Sequence, residues 1–231
     1  MRTLALLAIL LAPVLRADDT VRVAVATNFK PTLLHLSKQF QSDTGIAVTL
    51  SSASTGVLAA QIIHGAPFDV FFAADSTTPE QLYAADNDGL APFCYAVGRL
   101  ALVGASDLSA LADPGLSLAI ANPATAPYGA AAIEVLDRAE FSPGNTRKLV
   151  RGNNAIQAYQ FWYSGAVDLA LVPKSLATDS GAIDVPRAWH ASLTQFALIR
   201  QQGPAVDAYL KWMRSDTVRD QITQAGYESC P

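Results

Sequence analysis

Val21-Arg-Val-Ala-Val-Ala-Thr-Asn-Phe29 is an alternating β-branched run that stops abruptly at a small polar pair, Thr27-Asn28. Leu33, Leu34, Leu36 and Phe40 then recur at helical spacing, so the stretch reads as strand, polar cap, helix. Residues 46–63 repeat that grammar. Ile46 to Leu50 form a strand, Ser54-Thr55-Gly56 a cap, and Leu58, Ile62 and Ile63 a helix face. Parallel strands deliver such helix N-termini to one edge of a sheet. There the free N–H groups and the positive end of the dipole form an anion site that needs no charged side chain.

The rest of the chain continues the alternation. Phe68-Asp-Val-Phe-Phe-Ala-Ala-Asp75 is an apolar run suited to a buried parallel strand, and Ser76 to Asp86 follows as a helix ending near Asn87-Asp-Gly89. Tyr95 to Val103 and Ser117 to Ala121 read as further strands. The second of these ends at Asn122-Pro-Ala-Thr-Ala-Pro-Tyr-Gly129, where Pro127 suits the first turn of a helix. A short strand, 148–150, leads through Arg151-Gly-Asn-Asn-Ala-Ile156 into a helix reaching Tyr163, and 168–173 is the next buried strand. Residues 175–192 are loop-rich, Leu193 to Arg200 is a strand returning to the first half, and two amphipathic helices close the chain. The class is α/β, with two lobes whose connections are themselves strands.

Composition sets limits on function. Of 231 residues 51% are hydrophobic and the formal net charge is -4, so no broad basic surface draws nucleic acid or anionic lipid. Met1 to Ala17 has a basic start and a short apolar run followed by Asp18-Asp19, which reads as a signal peptide for export, with Leu15 a poor fit to the small-residue rule at the cut. Two cysteines, Cys94 and Cys230, either bridge the tail to the lobe carrying Cys94 or stay as separate thiols. His35, His64 and His190 are isolated, and no Cys/His cluster has metal-ligand spacing.

At this point the chain resembles the periplasmic molybdate-binding proteins of ABC importers, which have the type II periplasmic-binding-protein fold. The likeness spans nearly the whole exported chain. It is carried by Ala26-Thr-Asn-Phe29, Ala53-Ser-Thr-Gly56, Gln61 to Asp75 with its Gly65-Ala-Pro67 and Asp69-Val-Phe71 pieces, Ala126-Pro-Tyr-Gly129 and Gly152-Asn-Asn-Ala155. The resemblance implies 1–17 as signal peptide, 18–95 and 191–231 as one lobe, 96–190 as the other, and a cleft between them. It also implies a periplasmic monomer that passes molybdate, and tungstate with it, to a membrane permease and its ATPase, with no cofactor. Its ligand set, carried over by position, is Thr27 or Asn28 and Ser54 with Thr55 from the first lobe, then Tyr128 through its main chain and the N–H of Ala155 from the second. Some relatives place a tyrosine near the position of Pro173, and proline lacks its hydroxyl.

Neutral donors suit a fully deprotonated tetrahedral ion and reject a phosphate that must donate a proton, while cavity size separates larger ions from sulfate. Each of these residues also has an ordinary use. Thr27-Asn28, Ser54-Thr55 and Asn153 suit helix caps, Tyr128 suits a groove filler, and Tyr159, Phe161, Trp162 and Tyr163 suit helix packing. Asp69 and Asp75 fall near opposite ends of one strand and read as loop or hinge residues. Ser54 has no His/Asp partner in the pattern, which argues against a nucleophile. A receptor for sulfate or another oxyanion is the alternative, and an enzyme or sensor domain on the same fold a remoter one.

Overall fold

The computed structural model describes residues 20–86 and 90–231. The predicted signal segment 1–17 and the predicted turn at 87–89 lie outside them.

The opening pattern folds as expected. Strand β1 (Thr20–Ala26) pairs in parallel with β2 (Ala47–Ala53), and helix α1 (Lys30–Thr44) connects them. α1 ends where Gly45, at φ 74°, takes the left-handed conformation and its N–H caps the Gln41 carbonyl. Helix α2 (Thr55–Ile63) leads to β3 (Val70–Phe72), which lies on the other side of β1, also in parallel. Helix α3 (Thr77–Asp86) then delivers the chain to β4 (Leu90–Val97).

The apolar stretch after β4 changes sheet. It breaks at Gly98-Arg99, and β5 (Leu100–Val103) belongs to a second sheet with β6 (Leu118–Ala121), β7 (Leu149–Gly152), β8 (Leu169–Pro173) and β9 (Ile183–Asp184). Helix α4 (Pro127–Leu136) follows β6, and α5 (Ala155–Tyr163) follows β7. The chain then returns. β10 (Thr194–Ile199) inserts antiparallel between β3 and β4, and α6 (Pro204–Met213) and α7 (Asp216–Gln224) finish the first lobe. The sheet orders are β2-β1-β3-β10-β4 and β7-β6-β8-β5-β9.

Each sheet is covered on both faces, which is why its inner strands are largely apolar. Alternation along β1 sends Val21, Val23 and Val25 to the side of α1, α6 and α7, and Ala24 to the side of α2 and α3. In the second sheet Leu118 and Ile120 meet α4 while Ala119 meets α5. Burying a side chain of this size contributes about 1.5–3 kcal/mol, so both lobes have cores of their own.

The C-terminal tail is stitched back onto the crossing. Cys94 and Cys230 form a disulfide with Cα atoms 6.0 Å apart, which resolves the alternative left open by sequence. Val97 and Glu228 exchange both main-chain hydrogen bonds, and Glu228 forms ion pairs with Arg99 and Arg187. Asp69 and Asp75 are structural. Asp69 is buried and clamps the β1 residue Arg22, accepting from its main-chain N–H at 2.7 Å and from its guanidinium. Asp75 accepts from the Thr78 N–H and hydroxyl at the start of α3.

Candidate functional site

The strand ends converge on one small cavity, of about 10 Å³, lined by Ala26, Thr27, Asn28, Ser54, Thr55, Ala74, Ala126, Pro127, Tyr128 and Ala155. All six residues singled out by sequence meet there, four from the first lobe and two from the second. They arrive by the same route. A β-strand ends, the chain turns, and a helix begins with its free N–H groups at the lobe interface. A space of this size is at the lower limit for one water molecule and is far too small for a sugar or amino acid.

The polar groups around this cavity divide into those already used and those left over. Thr27 donates its N–H to the Ala53 carbonyl, so its hydroxyl is what it has to offer. Asn28 commits its side chain elsewhere, since Nδ2 donates to Gln195 Oε1 at 2.8 Å and lies 3.4 Å from the Tyr227 hydroxyl. Its main-chain N–H has no main-chain acceptor among the described residues. Thr27-Asn28 therefore do not cap α1; Phe29 holds that position, with no side-chain cap bond. The expected cap at this turn gives way because the helix starts one residue later, with Phe29 at the N-cap position, while the Asn28 amide nitrogen points to the buried Gln195.

Ser54 occupies the N-cap position of α2, yet its hydroxyl makes no cap bond and has no partner among the described residues, although the residue is only 3% exposed. An unpaired buried hydroxyl is costly, and this one lies on the lining of the cavity, free to donate. Thr55 is different. Its Oγ1 accepts from the Ala74 N–H at 3.0 Å, which leaves its own first-turn N–H for the cavity. On the second lobe Ala126 caps α4 and Pro127 takes the first turn, placing the Tyr128 N–H among the free donors. Asn154, rather than Asn153, caps α5 by accepting from Gln157 N at 3.0 Å, and Ala155 supplies the first N–H of that helix. The neighbouring Asn153 instead gives its N–H to the Gln157 side chain.

No carboxylate, ammonium, guanidinium or imidazole lines the cavity. Tyr128 is its one titratable residue, and burial pushes that hydroxyl well above the ordinary tyrosine range, so it stays neutral. A wider groove of about 340 Å³ shares Ala126 and Pro127 with the cavity, but it carries Asp75 and Glu134, whose charges oppose an anion. Of these two, the small cavity is the one whose lining carries no negative charge. Among the described residues no group of three or more His, Cys, Asp or Glu side chains is arranged to hold a metal ion. The three histidines make ordinary local contacts, with Gln39, the Ala60 carbonyl and the Ala191 carbonyl. Pro173 ends β8 and does not line the cavity.

Sequence reading misses the layer behind the site. Gln195, Tyr95, Tyr227 and Ser175 surround Asn28: Tyr227 donates to the Asn28 carbonyl at 2.8 Å, and Ser175 from the second lobe reaches the Tyr227 hydroxyl at 2.9 Å. Burial raises the Tyr95 and Tyr227 hydroxyls as it does that of Tyr128. The one visible signal is a glutamine in the middle of an apolar strand. Across the cleft, the Gly56 N–H donates to the Thr125 carbonyl at 2.9 Å, so the lobes touch through the turns that carry the site.

Two sheets joined by crossing strands, with a charge-free donor cavity between them, define a solute-binding protein. The chain belongs to the bacterial extracellular solute-binding protein family, whose pattern it matches over residues 21–228. It is 37% identical over 224 residues to the molybdate-binding protein ModA of Azotobacter vinelandii, covering 90% of this chain and 89% of that one. The molybdate-binding protein ModA of Rhodobacter capsulatus is 34% identical over 228 residues, covering 91% and 89%. The solved Azotobacter vinelandii periplasmic molybdate-binding protein superposes with a TM-score of 0.83 at 33% identity, covering 91% of this chain and all of that one.

Proposed function

We propose that this chain is the periplasmic receptor that captures molybdate, and tungstate with it, for an ABC importer. The carrying observation is the cavity itself, where free donors from both lobes meet at helix N-termini with no charged side chain among them. A doubly charged ion is costly to bury, and several aimed N–H and O–H groups replace its hydration shell. The hydroxyls of Thr27 and Ser54 and the N–H groups of Asn28, Thr55, Tyr128 and Ala155 are the donors in this reading. Donors of this kind favour a fully deprotonated tetrahedral ion over a phosphate that must itself donate.

The protein acts by binding alone, as a monomer and without a cofactor. Residues 18–95 and 191–231 move as one lobe and 96–190 as the other. The anion draws the lobes together because it contacts donors on both, and the permease in the inner membrane reads the closed arrangement. The homologous molybdate-binding proteins support the choice of ligand. Isothermal calorimetry of the exported chain, stripped of ligand, tests it. Molybdate and tungstate bind tightly while sulfate and phosphate give no heat. Binding of sulfate alone would keep the oxyanion site and overturn the ligand.

A further inference from the structure

Behind the oxyanion cavity one side-chain amide bonds to residues of both halves of the molecule. Gln195 is fully buried in β10, where Ala197, Leu198 and Ile199 are buried and apolar. A primary amide persists in such a strand only where its hydrogen-bonding groups are met. Here both ends are used. Oε1 lies 2.8 Å from Asn28 Nδ2 and 2.7 Å from the Tyr95 hydroxyl, and Nε2 donates to the Tyr128 hydroxyl at 3.0 Å. The Asn28 donor identifies Oε1 as the acceptor end, which leaves Nε2 one direction, toward Tyr128. Asn28 stands in the first-lobe turn and Tyr128 opens α4 of the second lobe.

The pair is seated against the crossing itself. Gly98 lies between β4 and β5, where the chain passes from one sheet to the other, and its N–H donates to Leu193 on the return crossing at 2.9 Å. A Cβ at this position would overlap the Tyr128 hydroxyl and Gln195 Nε2. The tyrosine tip and the amide thus occupy the space that any side chain at the crossing would fill.

We infer that Gln195 is a positioning residue that locks the closed arrangement, holding the Asn28 turn of one lobe to the Tyr128 turn of the other without touching the anion. The inference rests on the oxyanion reading above. It predicts that affinity depends on a hydrogen bond remote from the ligand, and that the two partners act as one unit.

A double-mutant cycle tests the lock. Gln195→Ala and Tyr128→Phe, the latter keeping the ring and the main-chain N–H, each weaken molybdate binding about tenfold, and the double variant is also about tenfold weaker. Gly98→Ala, which fills the seat, weakens binding by a similar factor. Two residues that act independently give a different pattern: the affinity losses multiply to about a hundredfold. That result, or an unchanged affinity in Gln195→Ala, overturns the inference. Should the parent protein bind no tetrahedral oxyanion, the ligand reading fails on its own. The same cycle run on ligand-free unfolding then decides the lock, with non-additive losses supporting it and additive losses refuting it.

Discussion

Replacing Ser54 by alanine separates the two uses of a serine at a helix start, because they predict opposite signs. A serine that caps its helix loses about 1 kcal/mol on truncation. Ser54 has the backbone of a cap, φ -67° and ψ 154°, but its hydroxyl makes no cap bond and no other bond among the described residues. Its removal therefore costs the ligand-free protein nothing and relieves an unpaired buried hydroxyl, so ligand-free melting holds or rises slightly. The bound state loses a hydrogen bond to a charged group, worth about 1.5–3 kcal/mol, which corresponds to about 10- to 150-fold in affinity. Calorimetry with molybdate and ligand-free thermal melts on the same preparations read both quantities. A melting temperature lowered by about 2–4 °C with affinity unchanged would refute the reasoning and return Ser54 to an ordinary cap.

Thr55→Val shows the reverse balance: it orphans the buried Ala74 N–H and destabilises the ligand-free protein by about 1–3 kcal/mol, seen in denaturant melts, while affinity changes little because the Thr55 N–H remains. Opening the Cys94–Cys230 disulfide, which spans 136 residues of sequence, removes about 2–5 kcal/mol, measured as a lower melting temperature in reductant or in the double serine variant. Asp75 gives a pH signature. Burial, partly offset by the Thr78 bonds, holds its carboxyl above the ordinary range, so the folded state binds the proton more tightly than the unfolded chain. Its ionisation then costs stability, with no cost below the unfolded pKa of about 4 and the full cost above the folded pKa. Asp75→Asn keeps the cap to Thr78 and flattens that part of the stability curve, which pH-dependent melts detect.

Periodicity carried much of this structure because strands buried on both faces and helices buried on one leave different marks. Val21 to Ala26 and the leucines of α1 show each mark clearly, and Pro127 announces the first turn of α4. The apolar run through Tyr95 to Val103 shows where the pattern stops being informative. Both β4 and β5 are apolar, although only β5 is buried throughout, so hydrophobicity alone does not reveal that the chain changes sheet at Gly98-Arg99. The turns were legible as polar breaks before helices, but the division of labour inside them was not. The partner of the Asn28 amide nitrogen, Gln195, lies 167 positions away. Ser54 and Thr55 look alike in sequence, and only packing against Ala74 distinguishes the occupied hydroxyl from the free one.

Diffraction from crystals grown with molybdate, recorded at the molybdenum absorption edge, tests the central claim most directly. The account predicts one strong anomalous peak in the cavity, within hydrogen-bonding distance of Ser54 Oγ and of the N–H groups of Asn28, Tyr128 and Ala155. A peak in the wider groove beside Asp75 and Glu134, or no bound molybdenum at all, would contradict it.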